Sequence, residues 1–165
     1  MPFAPSLVHS FKSPSISSSS YMITGFEERS DGFYKAIRRN GMSTSLSIVH
    51  RLSPTVEGAY SDMKTLIENG DQLARCYFAD NDLIAAGAMR ALTEAGYHIP
   101  QDISVIGFDD MPMCTYINPP LSTVHVPKQY MGELAVKRLA EIINSNSSDP
   151  VKIEINTEII KRKSC

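Results

Sequence analysis

The sequence predicts an α/β protein built as a Rossmann-like sandwich around a parallel sheet. Two observations carry this. From Tyr21 onward, short apolar runs alternate with segments of helical periodicity, which is the pattern of βαβ units. Three successive helical segments also close in the same way, at Asn40-Gly41, Asn69-Gly70 and Ala95-Gly96. Glycine suits the left-handed position just past a helix end. Crossovers between such parallel strands are right-handed in nearly all cases.

The elements follow in order. Residues 1–18 stand outside the pattern: Pro2, Pro5 and Pro14 interrupt them, and a serine run begins at Ser17. Residues 7–11 could form a short strand, but nothing around them supports one, so a flexible segment is expected. Residues 27–40 read as a helix with Phe33, Ala36 and Ile37 on one face, and residues 46–49 as a strand. Ser53 is the expected N-cap of the next helix, with Pro54 at its first position and Glu57 in its first turn. Val56, Tyr60, Met63, Leu66 and Ile67 form that helix's apolar stripe. A strand at 75–79 stops at Asp80-Asn81-Asp82, a helix covers 83–97, and a strand at 103–108 stops at Asp109-Asp110. A loop to Pro120, a strand at 121–126, a helix opened by Pro127 and an alternating strand at 151–160 complete the chain.

Composition bounds the function. A chain of 165 residues with 42% apolar content makes one well-packed domain. The net charge of −2 and a single basic cluster, Lys161-Arg162-Lys163, make it a poor binder of DNA on its own. Three cysteines without a CxxC, and four histidines without ligand spacing, give no metal signature, and no cofactor is expected. No apolar run approaches the ~20 residues that span a membrane, and no signal peptide is indicated, so a cytoplasmic protein is expected. Neither a GxSxG elbow, a Walker loop nor a GxGxxG follows a strand, and the chain is not expected to be an enzyme.

What remains is a set of polar residues where strands end, the place where parallel sheets bind ligands. Each has an ordinary reading. Asn81 or a neighbouring aspartate must cap the following helix. Asp109 could be a turn residue accepting backbone N–H groups. Arg29 could pair on the surface with Glu28 or Asp31. Together, however, an arginine, an amide and a carboxylate on one rim suit a neutral polyhydroxylated ligand, whose hydroxyls both donate and accept. Asp109-Asp110 could instead hold magnesium, provided neighbouring strand ends supply more oxygen ligands.

The stretch FADNDLIAAGAMRALTEAGYHIPQDISVIGFDD, followed by NPPLSTVHVP and GELAVKRLAEII, resembles the effector-binding core of LacI/GalR-type transcription regulators. EERSDGFYKAIRRNG is similar to that family's arginine-containing helix start, and the terminal EIIKRKS to its closing strand. The resemblance runs from about Ser19 to Cys165. It implies a periplasmic-binding-protein-like type I subdomain, incomplete, with residues 19–165 as the effector sensor. It places Arg29, Asn81 and Asp109 on effector-contacting positions. Ser53 falls where many members set an aromatic ring against the ligand, a departure that leaves the ligand unnamed. The implied partners are a small effector of sugar type and a second copy of the chain, met through Ala86, Met89, Arg90, Tyr116 and Ile117. The first two of these could equally be internal core. DNA would be reached only through a helix-turn-helix region that has no counterpart here.

The resemblance further implies that residues 127–146 cross to an N-terminal subdomain that these residues do not include. The apolar face of that helix (Met131, Leu134, Ala135, Leu139, Ile142) would then lack its usual cover. Five or six such side chains at about 1.5–3 kcal/mol each make roughly 10 kcal/mol of forgone burial, so a sticky or refolded helix is expected. Two other classes share features with this sequence: the sugar-binding component of a transporter, and a magnesium-dependent phosphate-handling domain.

Overall fold

The computed structural model describes residues 8–12, 24–145 and 150–165. Six strands form one sheet: β1 (Val8–Lys12), β2 (Val49–Arg51), β3 (Cys76–Ala79), β4 (Ser104–Asp109), β5 (Ser122–His125) and β6 (Glu158–Ile160). Their spatial order is β2-β1-β3-β4-β5-β6. The first five run parallel, and β6 is antiparallel to β5. Four helices accompany them: α1 (Thr24–Arg39), α2 (Val56–Glu68), α3 (Asp82–Glu94) and α4 (Lys128–Ser145). The expected parallel α/β architecture is present. So are the three glycine stops, with Gly41, Gly70 and Gly96 at φ +69°, +73° and +91°, where a Cβ would be strained.

Four expectations are corrected. Residues 8–12, read from sequence within a flexible segment, form an interior strand that pairs with β2 on one side and β3 on the other. Non-local pairing decides that strand, and a local sequence pattern does not carry it. The rest of the 1–18 segment lies outside the described residues. The strand expected at 46–49 is displaced to β2, because Thr44–Leu46 forms a 3-10 turn in which Ser43 Oγ accepts the Ser45 N–H at 3.2 Å. Thr55, not Ser53, caps α2 by accepting the Gly58 N–H at 3.1 Å. Ser53 is otherwise engaged, its N–H and hydroxyl both donating to Asp62 Oδ2 at 2.7 Å. Finally, the strand expected at 151–160 shrinks to three residues, since β5 offers only Thr123, Val124 and His125 as partners.

The core lies between the sheet and the α2–α3 pair. Leu52, Ala59, Met63, Tyr77, Ile84, Leu92, Val105 and Leu121 are fully or almost fully buried. α2 and α3 approach closely because position 87 is glycine: a Cβ there would lie 2.3 Å from the Val56 carbonyl oxygen and 2.8 Å from Ala59 Cβ. α4 is the opposite case. None of its residues is buried, and Tyr130, Met131, Val136, Leu139 and Ile143 are exposed. Of the face named from sequence, Met131, Ala135 and Leu139 are exposed and Leu134 and Ile142 are half-buried.

Candidate functional site

The parallel strands all deliver their carboxyl ends to one rim. β3 runs out at Ala79 and passes into Asp80-Asn81. β4 runs out at Asp109, paired in register with His125 at the end of β5. Counting on from the Phe78–Ile106 pair, Asp80 and Asn81 leave the sheet at the level of Phe108 and Asp109. α1 brings Arg29 to the same place.

Arg29 is the centre of this arrangement. Its Nη1 donates to the Asp80 carbonyl at 2.7 Å, and its Nη2 lies 4.0 Å from Asp109 Oδ1. The guanidinium lies over the Phe108 ring, 4.0 Å from the centroid, and 5.2 Å from that of Phe26. Aromatic faces attract a cation and fix the plane of the guanidinium. Phe108 is itself braced edge-on by Phe78, which stacks on Phe33 of α1. Arg29 thus reaches across the rim to Asp80 and Asp109, and does not pair along its own helix with Glu28 or Asp31. About a quarter of both the Arg29 and the Asp109 side chain remains exposed, so donors are left for a ligand.

Asn81 is the N-cap of α3: its Oδ1 accepts the Ile84 N–H at 2.8 Å. The cap fixes the side chain by its oxygen and leaves the amide NH2 as donor, so the two readings of Asn81 are compatible. Asp109 and Asp110 both have positive φ, +111° and +52°, uncommon for residues with a Cβ. Burial pushes the Asp109 carboxyl above its ordinary value, against the opposing charges of Arg29 and Lys128. An ionised Asp109 in that position is improved by any hydroxyl or N–H that a ligand donates.

Asp110 faces a different set of partners. Its Oδ1 accepts from Arg162 Nη2 at 2.7 Å, and its Oδ2 lies 2.9 Å from His125 Nδ1. Burial alone would raise this carboxyl, but the hydrogen bonds and charges of Arg162 and His125 outweigh it and hold it below the usual carboxylate range. With both its oxygens so occupied, Asp110 does not present a magnesium site with Asp109. Among the described residues, no three His, Cys, Asp or Glu side chains converge as a metal would require. Asp82, buried at the start of α3, accepts the Thr123 hydroxyl at 2.6 Å and the Met111 N–H at 2.7 Å. It also fixes Gly107, where a Cβ would meet Asp82 Oδ1 at 2.2 Å.

Three residues of the rim were missed in the sequence: Lys128, whose Nζ donates to the Asp109 carbonyl, His125 and Arg162. Arg162 looked like one of three solvated cations. Its side chain is 17% exposed, and its Nη1 also donates to the Leu121 carbonyl at 2.8 Å. The alternation of Lys161 and Lys163 outward with Arg162 inward was the available signal. Ser53, at the end of β2, spends its hydroxyl on Asp62. The positions expected to meet a second copy are divided. Ala86 and Met89 are buried, whereas Arg90 is exposed and Tyr116 is 86% exposed. A surface groove of about 420 Å3 is lined by Ala86, Met89, Arg90, Met113 and Ile117, among others. Arg90 lies over the Tyr60 ring at 4.4 Å and pairs with Glu94 at 2.9 Å.

The family described as periplasmic binding protein-like domain matches residues 20–165. The chain belongs to this family. Within it, the HTH-type transcriptional repressor PurR of Pasteurella multocida is 35% identical over 141 residues, covering 86% of this chain and 42% of the repressor. The periplasmic binding protein-like chain thus spans about two-fifths of the length of the curated relatives it matches. Among solved structures, a LacI family transcriptional regulator from Enterococcus faecium with bound ribose superposes with a TM-score of 0.80 at 26% identity, over 96% of this chain and 56% of that one. The lac repressor dimer bound to operator and the anti-inducer ONPF gives the same TM-score at 25% identity, over 96% of this chain and 52% of that one. Among the described residues, no helix is long and apolar enough to cross a membrane.

Proposed function

We propose that this chain is the effector-sensing part of a LacI-type transcription regulator, whose operator is read by a helix-turn-helix region distinct from residues 20–165. The observation that carries the reading is Arg29, tethered to the Asp80 carbonyl, set over Phe108 and held beside a half-buried Asp109 with donors to spare. Asn81 supplies its amide NH2 on the same rim. Fixed donors, a carboxylate acceptor and aromatic faces on one rim suit a compact ligand rich in hydroxyls. A sugar-type effector is the class this chemistry fits, and ribose bound to the Enterococcus faecium regulator supports that choice. Binding closes a cleft whose other wall belongs to a second subdomain, onto which the exposed face of α4 packs. The ligand acts by favouring one of two arrangements of the two subdomains.

The sensor pairs with a second copy through the α3–loop face that carries Arg90, Tyr116 and Ile117, with Ala86 and Met89 beneath it. The operator-bound lac repressor dimer supports this symmetric pairing. The test is direct. In the regulator carrying this sequence, Asp109→Ala weakens the bound effector by about 1.5–3 kcal/mol, the value of hydrogen bonds to a charged group. Effector affinity equal to the parent's would reject the site.

A further inference from the structure

The two successive residues with positive φ at the end of β4 need something to hold them there. Such conformations persist in residues with a Cβ only where the surroundings over-determine them. The surroundings here are specific. The Asp110 carboxylate is held by Arg162 Nη2 at 2.7 Å on one oxygen and His125 Nδ1 at 2.9 Å on the other. The Asp110 N–H reaches Thr123 Oγ1 at 3.4 Å, and the next N–H, of Met111, donates to Asp82 Oδ2. Lys128 Nζ donates to the Asp109 carbonyl. Only the Asp109 carboxylate is left facing Arg29, 4.0 Å away.

We propose that Asp110, Arg162 and His125 are positioning residues for the effector site, clamping the turn in the conformation that aims Asp109 at Arg29. The proposal rests on the reading of Arg29, Asn81 and Asp109 as that site. The placement of the clamp gives it a further role. His125 is the last residue of β5, three residues before α4 begins, and Arg162 stands two residues past β6, on the segment that returns after α4. Both arms therefore lie on the segments that flank α4 in the chain. Arg162 is anchored a second time to the Leu121 carbonyl, and its own N–H donates to Ser122 Oγ at 2.9 Å. A shift of either segment is passed through Asp110 to the backbone that carries Asp109. The charged and titratable groups facing the turn are Arg29 from α1, Asp82 from α3, His125 from β5, Lys128 from α4 and Arg162 from the tail.

The test follows the Asp109 carboxyl carbon by NMR through a pH titration of the full chain, alongside a D-ribose titration. In the parent chain Asp109 titrates above the ordinary aspartate value because it is buried. In R162M the turn relaxes, Asp109 swings into water, and its midpoint falls back toward about 3.9. R162K, which keeps the charge, restores most of the shift. In H125Q, which removes only the exposed arm, the fall is smaller. D-ribose affinity follows the same order, with R162M weakened by about tenfold or more. If D-ribose leaves the parent unshifted while R162M still releases Asp109, the effector reading fails for that sugar and the positioning role stands. Should R162M fail to fold, H125Q and D110N carry the test. An Asp109 midpoint unmoved in the folded variants overturns the proposal, whatever the chain binds.

Discussion

α3 and α4 are both amphipathic in sequence, and the fold treats them in opposite ways. Nine of the thirteen residues of α3 are buried, among them Ile84, Leu92 and the charged Asp82. None of the eighteen residues of α4 is buried. α3 meets α2 across Gly87 and lies against the sheet, whereas the apolar side chains of α4 face outward. Periodicity specifies which face of a helix is apolar but not where its partner is. The partner of α3 lies within this chain. For α4 we propose a partner in a second subdomain, and the contrast can be broken or sharpened by mutation.

The largest effect is expected inside α3. Leu92→Ala removes a fully buried side chain and lowers unfolding free energy by about 2–5 kcal/mol, read by urea denaturation. A loss under 1 kcal/mol, by the same ~24 cal/mol per Å3 of cavity, would mean that this core collapses around the gap. Gly87→Ala comes next. The new Cβ is driven into the Val56 carbonyl and Ala59, so the α2–α3 contact opens at a cost of about 1–3 kcal/mol. A Tm equal to the parent's would contradict the close helix approach.

Asp110→Asn is of similar size, about 1.5–3 kcal/mol at neutral pH, because two hydrogen bonds lose their charge. The sign with pH is fixed by the depressed carboxyl. Its stabilisation is fully present above the unfolded aspartate value of about 3.9 and is lost as pH falls through the lower folded value. The gap between parent and variant should therefore close on acidification below about pH 4. A gap that widens there would show that Asp110 is held by something other than ionised contacts. The smallest effect is expected on α4. Leu139→Ser with Ile143→Ser changes stability by less than about 0.5 kcal/mol, while reducing binding of a hydrophobic dye. A loss of stability well beyond that would place α4 in the core.

The same contrast explains what was legible in the sequence. α3 was readable as an element, since its strand, cap and Gly96 stop are local signals, although the helix ends at Glu94 and not at 97 as expected. Strand ends in a parallel sheet share one rim, which is why Asn81 and Asp109 were expected together, with Arg29 brought there by α1. β1 was not legible, for its place between β2 and β3 is decided by non-local pairing. Arg162 was hidden for a related reason: two flanking lysines disguise a side chain that turns inward to Asp110, past β5. Thr55 displaced Ser53 as the cap because Asp62, nine residues further on, had claimed the serine. Apart from the local 3-10 turn that displaced β2, these misses are contacts distant in sequence that override a local preference.

The central claim is that Arg29, Asn81 and Asp109 form one effector-binding rim. The most direct measurement is an NMR titration of the full chain, observing the Arg29 Nε–H, the Asn81 side-chain NH2 and the Asp109 amide against D-ribose, other pentoses and hexoses, and nucleosides. The account predicts that at least one of these compounds shifts all three signals together with a single dissociation constant, and that Asp109→Ala removes the response. Shifts confined to the α3–loop groove, or three signals that move with different constants, would contradict it.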